Sequence, residues 1–329
     1  MKRILIDSDP GVDDALAILL AMKSPELCVE AITTVSGNIH VDQATENLLR
    51  ILGLLKMSES PIIAKGEGKP LVKPLLMAAH VHGEDGLGNV STLYNQDGSP
   101  QYPQADSAIS DVSGVELIFE MIDRYPDELT IVALGPLTNI ALAIRKDPIK
   151  MRRLHAIVLM GGVFKEYGNV TTTAEFNIYV DPHAAHEVFS SEIPIQIAPL
   201  NVTHQVVLTG ERLSAETEGK QGLISSFLRD STKACMEFYR QHVGFYGLHI
   251  HDALPIGMLT HPHFFESIDT HVQVETEGTL TSGMTIADLR DSRQEKTHNA
   301  SISMEIDADA FLNHFFNRLF TKTEVIAHQ

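Results

Sequence analysis

Four aspartates lie within eight residues near the start of the chain, at Asp7, Asp9, Asp13 and Asp14. They follow an apolar run and flank a Pro-Gly pair, a pattern that predicts the end of a strand and the start of a helix. Carboxylates at this density repel one another unless a cation or shared protons compensate their charge. A hard divalent cation is the simplest explanation, because calcium and magnesium prefer oxygen ligands. The pattern therefore predicts a metal-dependent active site.

A structural explanation is open for single members of this cluster. Aspartate is a preferred residue at a helix N-cap, so Asp13 or Asp14 can simply begin the predicted helix while the others are solvated. That explanation is common for one aspartate. It is much weaker for four of them that follow an apolar strand together.

Short β-branched runs alternate with amphipathic helical stretches along the chain, which predicts an α/β fold with a mostly parallel central β-sheet flanked by helices. We expect a single domain, residues 1–329, with helical insertions. Ligands of such sheets collect at the carboxyl ends of the strands. The predicted strands are 4–7, 28–35, 130–134, 156–160 and 193–197; the predicted helices are 13–22, 42–55, 113–124, 139–145 and 182–189. Long loops are predicted at 65–104, and a helical insertion at 210–249 that includes a helix at 224–241.

Composition restricts the partners of the protein. The 329 residues carry 25 basic and 43 acidic side chains, a formal net charge of −18, which argues against nucleic acid or an anionic bilayer as the main partner. Cys28 and Cys235 lie far apart and are expected to be free thiols. The chain enters a predicted strand directly, without a signal-like segment, and no apolar run reaches membrane-spanning length. We therefore expect a cytoplasmic protein with small substrates.

The aspartate motif, Asp-x-Asp-Pro-Gly-x-Asp-Asp-Ala, resembles the N-terminal signature of the nucleoside hydrolases, the inosine-uridine-preferring nucleoside hydrolase family. Further motifs of that family occur in the same order and at matching spacing over nearly the whole chain. The resemblance implies a Rossmann-like nucleoside hydrolase fold and hydrolysis of the N-glycosidic bond of ribonucleosides to ribose and free base. The further motifs are Ser36-Gly37-Asn38, His82-Gly83 with Asp85-Gly86-Leu87-Gly88, Leu134-Gly135-Pro136-Leu137-Thr138-Asn139, Met160-Gly161-Gly162, Asn169 with Glu175-Phe176-Asn177, and His251-Asp252-Ala253.

The resemblance also implies a Ca²⁺ site. Its ligands would be Asp9, Asp14, Asp252 and the main-chain carbonyl of Leu134, with water and two ribose hydroxyls completing the shell. Many relatives carry threonine in place of Leu134, a mild departure because the backbone oxygen is the ligand. Asp9 would also act as the base that takes a proton from the attacking water. Asp7 is left to a supporting position behind the ligands.

Several polar residues are implied contacts of the ribose. Asp13, Asn169, Glu175 and Asn177 would bind its hydroxyls, and Asn38 would help to order the metal ligands. Asn and Glu suit vicinal hydroxyls, which both donate and accept hydrogen bonds. In an extended segment Glu175 and Asn177 would face the same way, with the intervening phenylalanine opposite. Taken without the other motifs, this segment is equally well explained as an ordinary loop.

The base end of the site has histidine candidates. His251 precedes a predicted metal ligand, and the resemblance gives this position a role in protonating the leaving group in part of the family; histidine is well suited to proton donation near neutral pH. His82 can line the base pocket or belong to a turn. The histidines near His251 in sequence are interpreted mainly as structural or surface residues. They are His242, His249, His261 and His263.

Aromatic content bears on the choice of base. Phe176, Phe245 and Tyr246 are candidates for packing against a heterocycle, with core packing as the alternative. Purine-specific relatives hold the base between indole rings, and this chain contains no tryptophan. We therefore expect a preference for pyrimidine nucleosides, or a broad one.

Two other classes of function are compatible with parts of the pattern. Asp7 and Asp9 could supply the nucleophile of a magnesium-dependent phosphohydrolase, although the Pro-Gly pair and the Glu-x-Asn segment argue against it. A non-catalytic nucleoside-binding homologue is the third possibility, but all expected catalytic positions are filled. Family members are commonly dimers or tetramers, so a homo-oligomer is expected.

Overall fold

The computed structural model describes residues 1–55, 57, 59–290 and 297–321. In this part of the chain, strands and helices alternate over most of the sequence. The strands are β1 (Lys2–Ser8), β2 (Leu27–Thr34), β3 (Ile62–Lys65), β4 (Leu129–Ala133), β5 (Ala156–Met160), β6 (Ile195–Ala198), β7 (Val207–Thr209), β8 (Gly247–His249), β9 (Phe265–Thr270), β10 (Val272–Val274), β11 (Thr285–Ala287) and β12 (Ala300–Ile306).

The helices are of very different lengths. The shortest have four residues and lie in connections, whereas the longest has 20 residues. They are α1 (Val12–Met22), α2 (Val41–Gly53), α3 (Ala79–His82), α4 (Gly114–Arg124), α5 (Thr138–Lys146), α6 (Pro148–Met151), α7 (Phe176–Val180), α8 (Pro182–Phe189), α9 (Leu200–Thr203), α10 (Gly210–Thr217), α11 (Leu223–His242), α12 (Ala253–Thr260) and α13 (Ala308–Phe320), with 3₁₀ turns at Val90–Thr92 and Pro262–Phe264.

The central sheet of the described residues has the strand order β3-β2-β1-β4-β5-β6-β12-β9. All neighbours pair in parallel except β12 and β9, which are antiparallel at one edge. Apolar clusters cover both faces: Ile4 and Ile6 of β1 belong to one cluster, and Leu5 between them belongs to the other. This alternation is expected for a strand buried on both sides. The predicted α/β class with a mostly parallel sheet is confirmed.

Helix α1 is buried along nearly its whole length, from Val12 to Ala21. Its first turn contains Asp13 and Asp14, and the backbone N–H of Gly11 donates to Asp14 Oδ2 at 2.9 Å. Carboxylates at a helix N-terminus interact favourably with the helix dipole. The end of β1 and the start of α1 therefore bring the acidic motif to the carboxyl edge of the sheet.

The predicted elements differ from the observed ones mainly at their ends. The strand expected at 193–197 is observed as Ile195–Ala198, and the helix expected at 224–241 as Leu223–His242. Segment 65–104 is mostly loop but includes α3. Strands β9 and β12 and helix α13 had no sequence prediction. No helix in the described ranges is both long and apolar enough to cross a membrane.

Candidate active site

Asp7 lies near the end of β1 and is completely buried. Its Oδ1 accepts hydrogen bonds from Thr33 Oγ1 at 2.5 Å and from Asn139 Nδ2 at 2.7 Å. These bonds join β1 to β2 and α5. Burial raises the pKa of Asp7 to about 6. Through these contacts Asp7 connects the ends of neighbouring elements.

Asp9 lies just beyond the end of β1 and is completely buried. Its Oδ2 accepts from the backbone N–H of Asn38 at 2.6 Å, whereas Oδ1 is buried without a hydrogen-bond partner among the described residues. A Cβ added to Gly37 would lie 2.0 Å from Oδ2, and one added to Gly135 would lie 2.4 Å from Oδ1. Glycine is needed at both positions because the carboxylate packs directly on their backbones.

Asp14 is held by three donors. Ser8 Oγ donates to Oδ1 at 2.6 Å, while Asn38 Nδ2 at 3.0 Å and the Gly11 N–H donate to Oδ2. One carboxylate oxygen each from Asp13, Asp14 and Asp252 lies within 4.8 Å of the other two, close enough to share a metal ion. This brings Asp13, which we predicted as a sugar contact, into the same cluster as two predicted ligands.

The electrostatics of the cluster favour a bound cation. Burial is the largest cause of a raised pKa at each carboxyl; repulsion from neighbouring aspartates adds to it at Asp9, Asp13 and Asp252. The pKa of Asp13 rises to about 7, and those of Asp9 and Asp252 lie well above the usual value. A divalent cation would offset the cost of keeping these buried carboxylates charged. The candidate ligand atoms are all oxygens, and Asp9 Oδ1 has no hydrogen-bond partner among the described residues. The residues therefore fit a hard ion such as Ca²⁺ or Mg²⁺.

The Leu134 carbonyl follows β4 beside this cluster. It accepts a hydrogen bond from Asn177 Nδ2 at 2.7 Å, and the same amide contacts the Met160 carbonyl at 3.2 Å. A carbonyl oxygen has two lone pairs, so one stays available for a second partner. Asn177 therefore fixes the predicted ligand carbonyl in place.

Glu175 and Asn177 do not lie in an extended segment, so the predicted strand-like alternation around Phe176 is wrong. Glu175 is the N-cap of α7: its Oε1 accepts from the Asn177 N–H at 2.8 Å, and Oε2 accepts from those of Gly162 at 3.0 Å and Ile178 at 3.2 Å. Capping satisfies N–H groups that a helix start leaves free. Burial raises the pKa of Glu175 to about 7.

A cavity of about 450 Å³ connects these residues to the histidines. Asp9 and Asp14 do not line it and lie beneath its acidic end. Asn169 lies in its wall and accepts a hydrogen bond from the Phe176 N–H at 2.9 Å. The other predicted site residues in the wall are Asp13, Asn38, His82, Leu134, Glu175, Phe176, Asn177, His251 and Asp252.

His82 ends helix α3 and is buried. Its Nδ1 accepts from the Val12 N–H at 3.1 Å, so the neutral ring carries its proton on Nε2. Burial, followed by the effect of His80, lowers the pKa of His82 to about 4. His82 is thus a neutral hydrogen-bonding group of the wall.

His251 makes two polar contacts: Nδ1 lies 2.8 Å from Thr203 Oγ1 and Nε2 lies 3.4 Å from Tyr239 Oη. Burial, then His249 and His204, lower the pKa of His251 well below its usual value. The ring is therefore neutral near pH 7. Any proton that His251 delivers comes from a neutral ring with a tyrosine partner, and not from a preformed imidazolium.

Sequence reasoning missed the residues of the wall that come from α3, α11 and the segments around β8. Tyr239 and Cys235 lie four residues apart on α11, a spacing that places them on one helix face. The sequence predicted helix α11, but it did not show that this face of the helix lines the cavity. The missed lining residues include His80, His204, Cys235, Phe238, Tyr239 and His249.

The aromatic candidates other than Phe176 lie outside the wall of this cavity. Phe245 packs edge-on against Tyr239 and His249, with both centroid distances 5.5 Å. Tyr246 is 44% exposed and packs against Gly210. Phe245 thus supports residues of the wall, and Tyr246 has no contact with the cavity.

Known proteins resemble this chain over nearly its whole length. Residues 4–313 match the family model of the inosine-uridine preferring nucleoside hydrolases. The chain is 39% identical over 320 residues to the pyrimidine-specific ribonucleoside hydrolase RihA of Citrobacter koseri, covering 96% of this chain and 97% of that protein. A plant nucleoside hydrolase superposes with a TM-score of 0.87 at 30% identity, covering 97% of this chain and 98% of that one. A purine-preferring ribonucleoside hydrolase from Gardnerella vaginalis gives 0.87 at 31%, with the same coverage.

The fold and the relatives show the class of protein: it is an enzyme, a hydrolase that acts on N-glycosyl compounds. The family follows from the match over almost the entire chain. The protein belongs to the inosine-uridine preferring nucleoside hydrolases, and the predicted resemblance is confirmed.

Proposed function

We propose that the protein is a calcium-dependent ribonucleoside hydrolase with a preference for pyrimidine bases, producing ribose and free base. The observation that carries this proposal is the polarity of one cavity. Buried carboxylates lie at one end, and neutral histidines with aromatic side chains lie at the other. A ribose with its hydroxyls fits the first environment, and a planar heterocycle fits the second.

The proposed holders of Ca²⁺ are Asp9, Asp14, Asp252 and the Leu134 carbonyl. When bound, the ion would supply positive charge that acidifies the attacking water and orients two vicinal ribose hydroxyls. Asp13 lies in the same carboxylate cluster and also lines the cavity, so it is suited to a ribose hydroxyl beside the ion. Four further residues would also contact the ribose: Asn38, Asn169, Glu175 and Asn177.

Bond cleavage requires charge changes at both ends of the glycosidic bond. The electron pair of the C–N bond leaves with the base, and the sugar becomes oxocarbenium-like beside the carboxylates, which stabilise its positive charge. Water adds to the anomeric carbon and gives its proton to Asp9 Oδ1, the oxygen without a protein partner. The base gains a proton from the side of the cavity that holds His251 and Tyr239.

Pyrimidine preference rests on three observations. The chain has no tryptophan to enclose a purine, Phe176 and His82 line the cavity, and the relative from Citrobacter koseri is named as pyrimidine-specific. A reducing-sugar assay with uridine, cytidine, inosine and adenosine tests it. We expect higher kcat/KM for uridine and cytidine; a clear advantage of inosine and adenosine would contradict the preference.

No observation favours the magnesium phosphohydrolase or the non-catalytic homologue. A phosphate subsite generally includes lysine or arginine, and neither type is among the described residues that line the cavity. We further propose that residues 1–329 act as one domain in a cytoplasmic homo-oligomer, a dimer or tetramer. Light scattering coupled to gel filtration tests the assembly, and a monomer at assay concentration would contradict it.

A further inference from the structure

Thr203 is a buried residue next to the base end of the cavity, and the proposed mechanism gives it no role. It is the last residue of α9, and its side chain is completely buried. Its Oγ1 lies 2.8 Å from Nδ1 of His251, which lines the cavity. Thr203 is not among the described residues of the cavity wall. Any effect of Thr203 on the substrate must therefore act through His251.

The fold holds Thr203 and His251 at one end of a small β-ribbon. Strand β7 begins four residues after Thr203, and β8 ends two residues before His251. Because β7 and β8 are antiparallel, the chain enters β7 and leaves β8 at the same end of the ribbon. Helix α9 is also attached to the turn after β5, since the Leu200 N–H donates to the Gly162 carbonyl at 2.9 Å. The contact between Thr203 and His251 thus joins two anchored segments.

The Thr203 hydroxyl has one proton and two acceptors within reach. The Leu200 carbonyl lies 3.4 Å from Oγ1 and already accepts from the His204 N–H at 2.8 Å. Nδ1 of His251, at 2.8 Å, lies at the usual length of a hydroxyl hydrogen bond. The reverse arrangement, in which Nδ1–H donates to Oγ1, would leave the hydroxyl proton only the longer contact. The hydroxyl therefore donates to Nδ1, and the one N–H of the neutral ring is on Nε2.

This tautomer decides what His251 offers to the substrate. Nε2 lies 3.4 Å from Oη of Tyr239, which also lines the cavity. With the proton on Nε2 the ring presents an N–H donor on that side, and with the proton on Nδ1 it would present a lone pair. The departing base receives the electron pair of the C–N bond, so a donor stabilises it and a lone pair would repel it.

We propose that Thr203 is a positioning residue for His251: its hydroxyl fixes the tautomer and the orientation that present Nε2–H to the leaving base. This inference rests on the proposed function, in which the base gains its proton at this end of the cavity. Which ring nitrogen of a histidine carries the proton is set by the hydrogen bond that the other nitrogen makes. Both tautomers are uncharged, so no ionisation of the ring is involved in the choice.

The kinetic test removes or keeps the hydroxyl at position 203. Thr203→Val removes it with little change in shape, and Thr203→Ser keeps it. Thr217→Val is the matched control, because Thr217 is also buried at the end of a helix, and its Oγ1 donates to the Leu213 carbonyl at 2.8 Å outside the cavity wall. The readout is the ratio of kcat for uridine to kcat for nitrophenyl riboside, whose leaving group needs no proton. A purely structural defect would lower both and leave the ratio unchanged.

We expect Thr203→Val to lower this ratio by about 10-fold, the effect of losing one buried hydrogen bond. Thr203→Ser should retain most of the wild-type ratio, and Thr217→Val all of it. An unchanged ratio in Thr203→Val would overturn the inference. A decrease of the same size in Thr203→Ser or in Thr217→Val would also overturn it, because the effect would then not depend on the hydroxyl beside His251.

A second measurement needs neither a substrate nor a change at Thr203. The ¹⁵N chemical shifts of the His251 ring in the wild type, identified by comparison with His251→Ala, show which nitrogen carries the proton. We expect a protonated Nε2 and an unprotonated Nδ1, and a proton on Nδ1 would overturn the inference. Failure of the wild type to hydrolyse either uridine or nitrophenyl riboside would instead count against the proposed function.

Discussion

The individual aspartates of the motif have different surroundings, although the sequence presents them as one run. Asp7 accepts hydrogen bonds from Thr33 and Asn139, and Asp14 accepts hydrogen bonds from three donors. Asp7 Oδ2 and Asp9 Oδ1 are both fully buried and have no hydrogen-bond partner in the described part of the chain, and of these two residues only Asp9 is a predicted metal ligand. An unpaired buried acceptor is costly, and Asp9 is in addition repelled by Asp14 and Asp13, so its Oδ1 is suited to a ligand or a reacting proton.

Asp9→Asn is the sharpest test at this scale. The amide keeps the size of the side chain but cannot take a proton from water, so we expect ribose release from uridine to fall by about 10³-fold or more. The far-ultraviolet circular dichroism should be unchanged. Asp111→Asn, at an exposed position, is the control and should retain activity. Near-normal turnover by Asp9→Asn would exclude Asp9 as the base.

His251→Ala tests the leaving-group end. We expect it to slow uridine, whose base leaves poorly without a proton, and to spare nitrophenyl riboside, whose leaving group needs none. Steady-state kcat for both substrates is the measurement. Equal losses on the two would show that His251 contributes to binding or structure and not to protonation of the base.

At the scale of elements, the site depends on strand ends that approach closely. β1 ends at the acidic motif, β2 is followed by Gly37 and β4 by Gly135. Both glycines lie so near Asp9 that a Cβ would collide with its carboxylate. The turns that follow β2 and β4 therefore contact the two oxygens of the Asp9 carboxylate from opposite strands. A side chain in the middle of a strand could not be contacted by such turns.

Gly135→Ala should therefore damage the site without unfolding the sheet. The added Cβ would lie 2.4 Å from Asp9 Oδ1, so the carboxylate must move, and we expect kcat for uridine to fall by about 10²-fold. Gly68→Ala is the matched control, because its Cβ would meet nothing closer than 3.5 Å. Wild-type kcat in Gly135→Ala would show that the position of Asp9 is not critical.

Sequence-based predictions were most accurate for the secondary-structure elements. Periodicity predicted α1, α2 and α4 to within about two residues, because buried faces impose a regular apolar pattern. The aspartate motif indicated the site because its charge density is unusual. The wall from α11 was not predicted: Tyr239 and Cys235 look like an ordinary buried helix face until the chain folds over the cavity. The helical start at Glu175 was missed because its cap was not recognised.

At the scale of the whole molecule, the sheet and the charge balance act together. The carboxyl ends of parallel strands gather the acidic motif, Leu134 and α7 at one edge, and residues from α3, α11 and β8 close the cavity above them. The chain carries a net charge of −18, which adds to the repulsion within the acidic end. Cation binding should therefore stabilise the fold as well as support catalysis.

The most direct test of the account is the release of the free sugar, ribose from uridine and 2-deoxyribose from 2′-deoxyuridine, after treatment with a calcium chelator, with and without added Ca²⁺. We predict that the chelated protein loses activity on uridine and has a lower Tm, that Ca²⁺ restores both, and that 2′-deoxyuridine remains a poor substrate throughout. Full activity on uridine in excess chelator, with Tm unaffected by Ca²⁺, would contradict it.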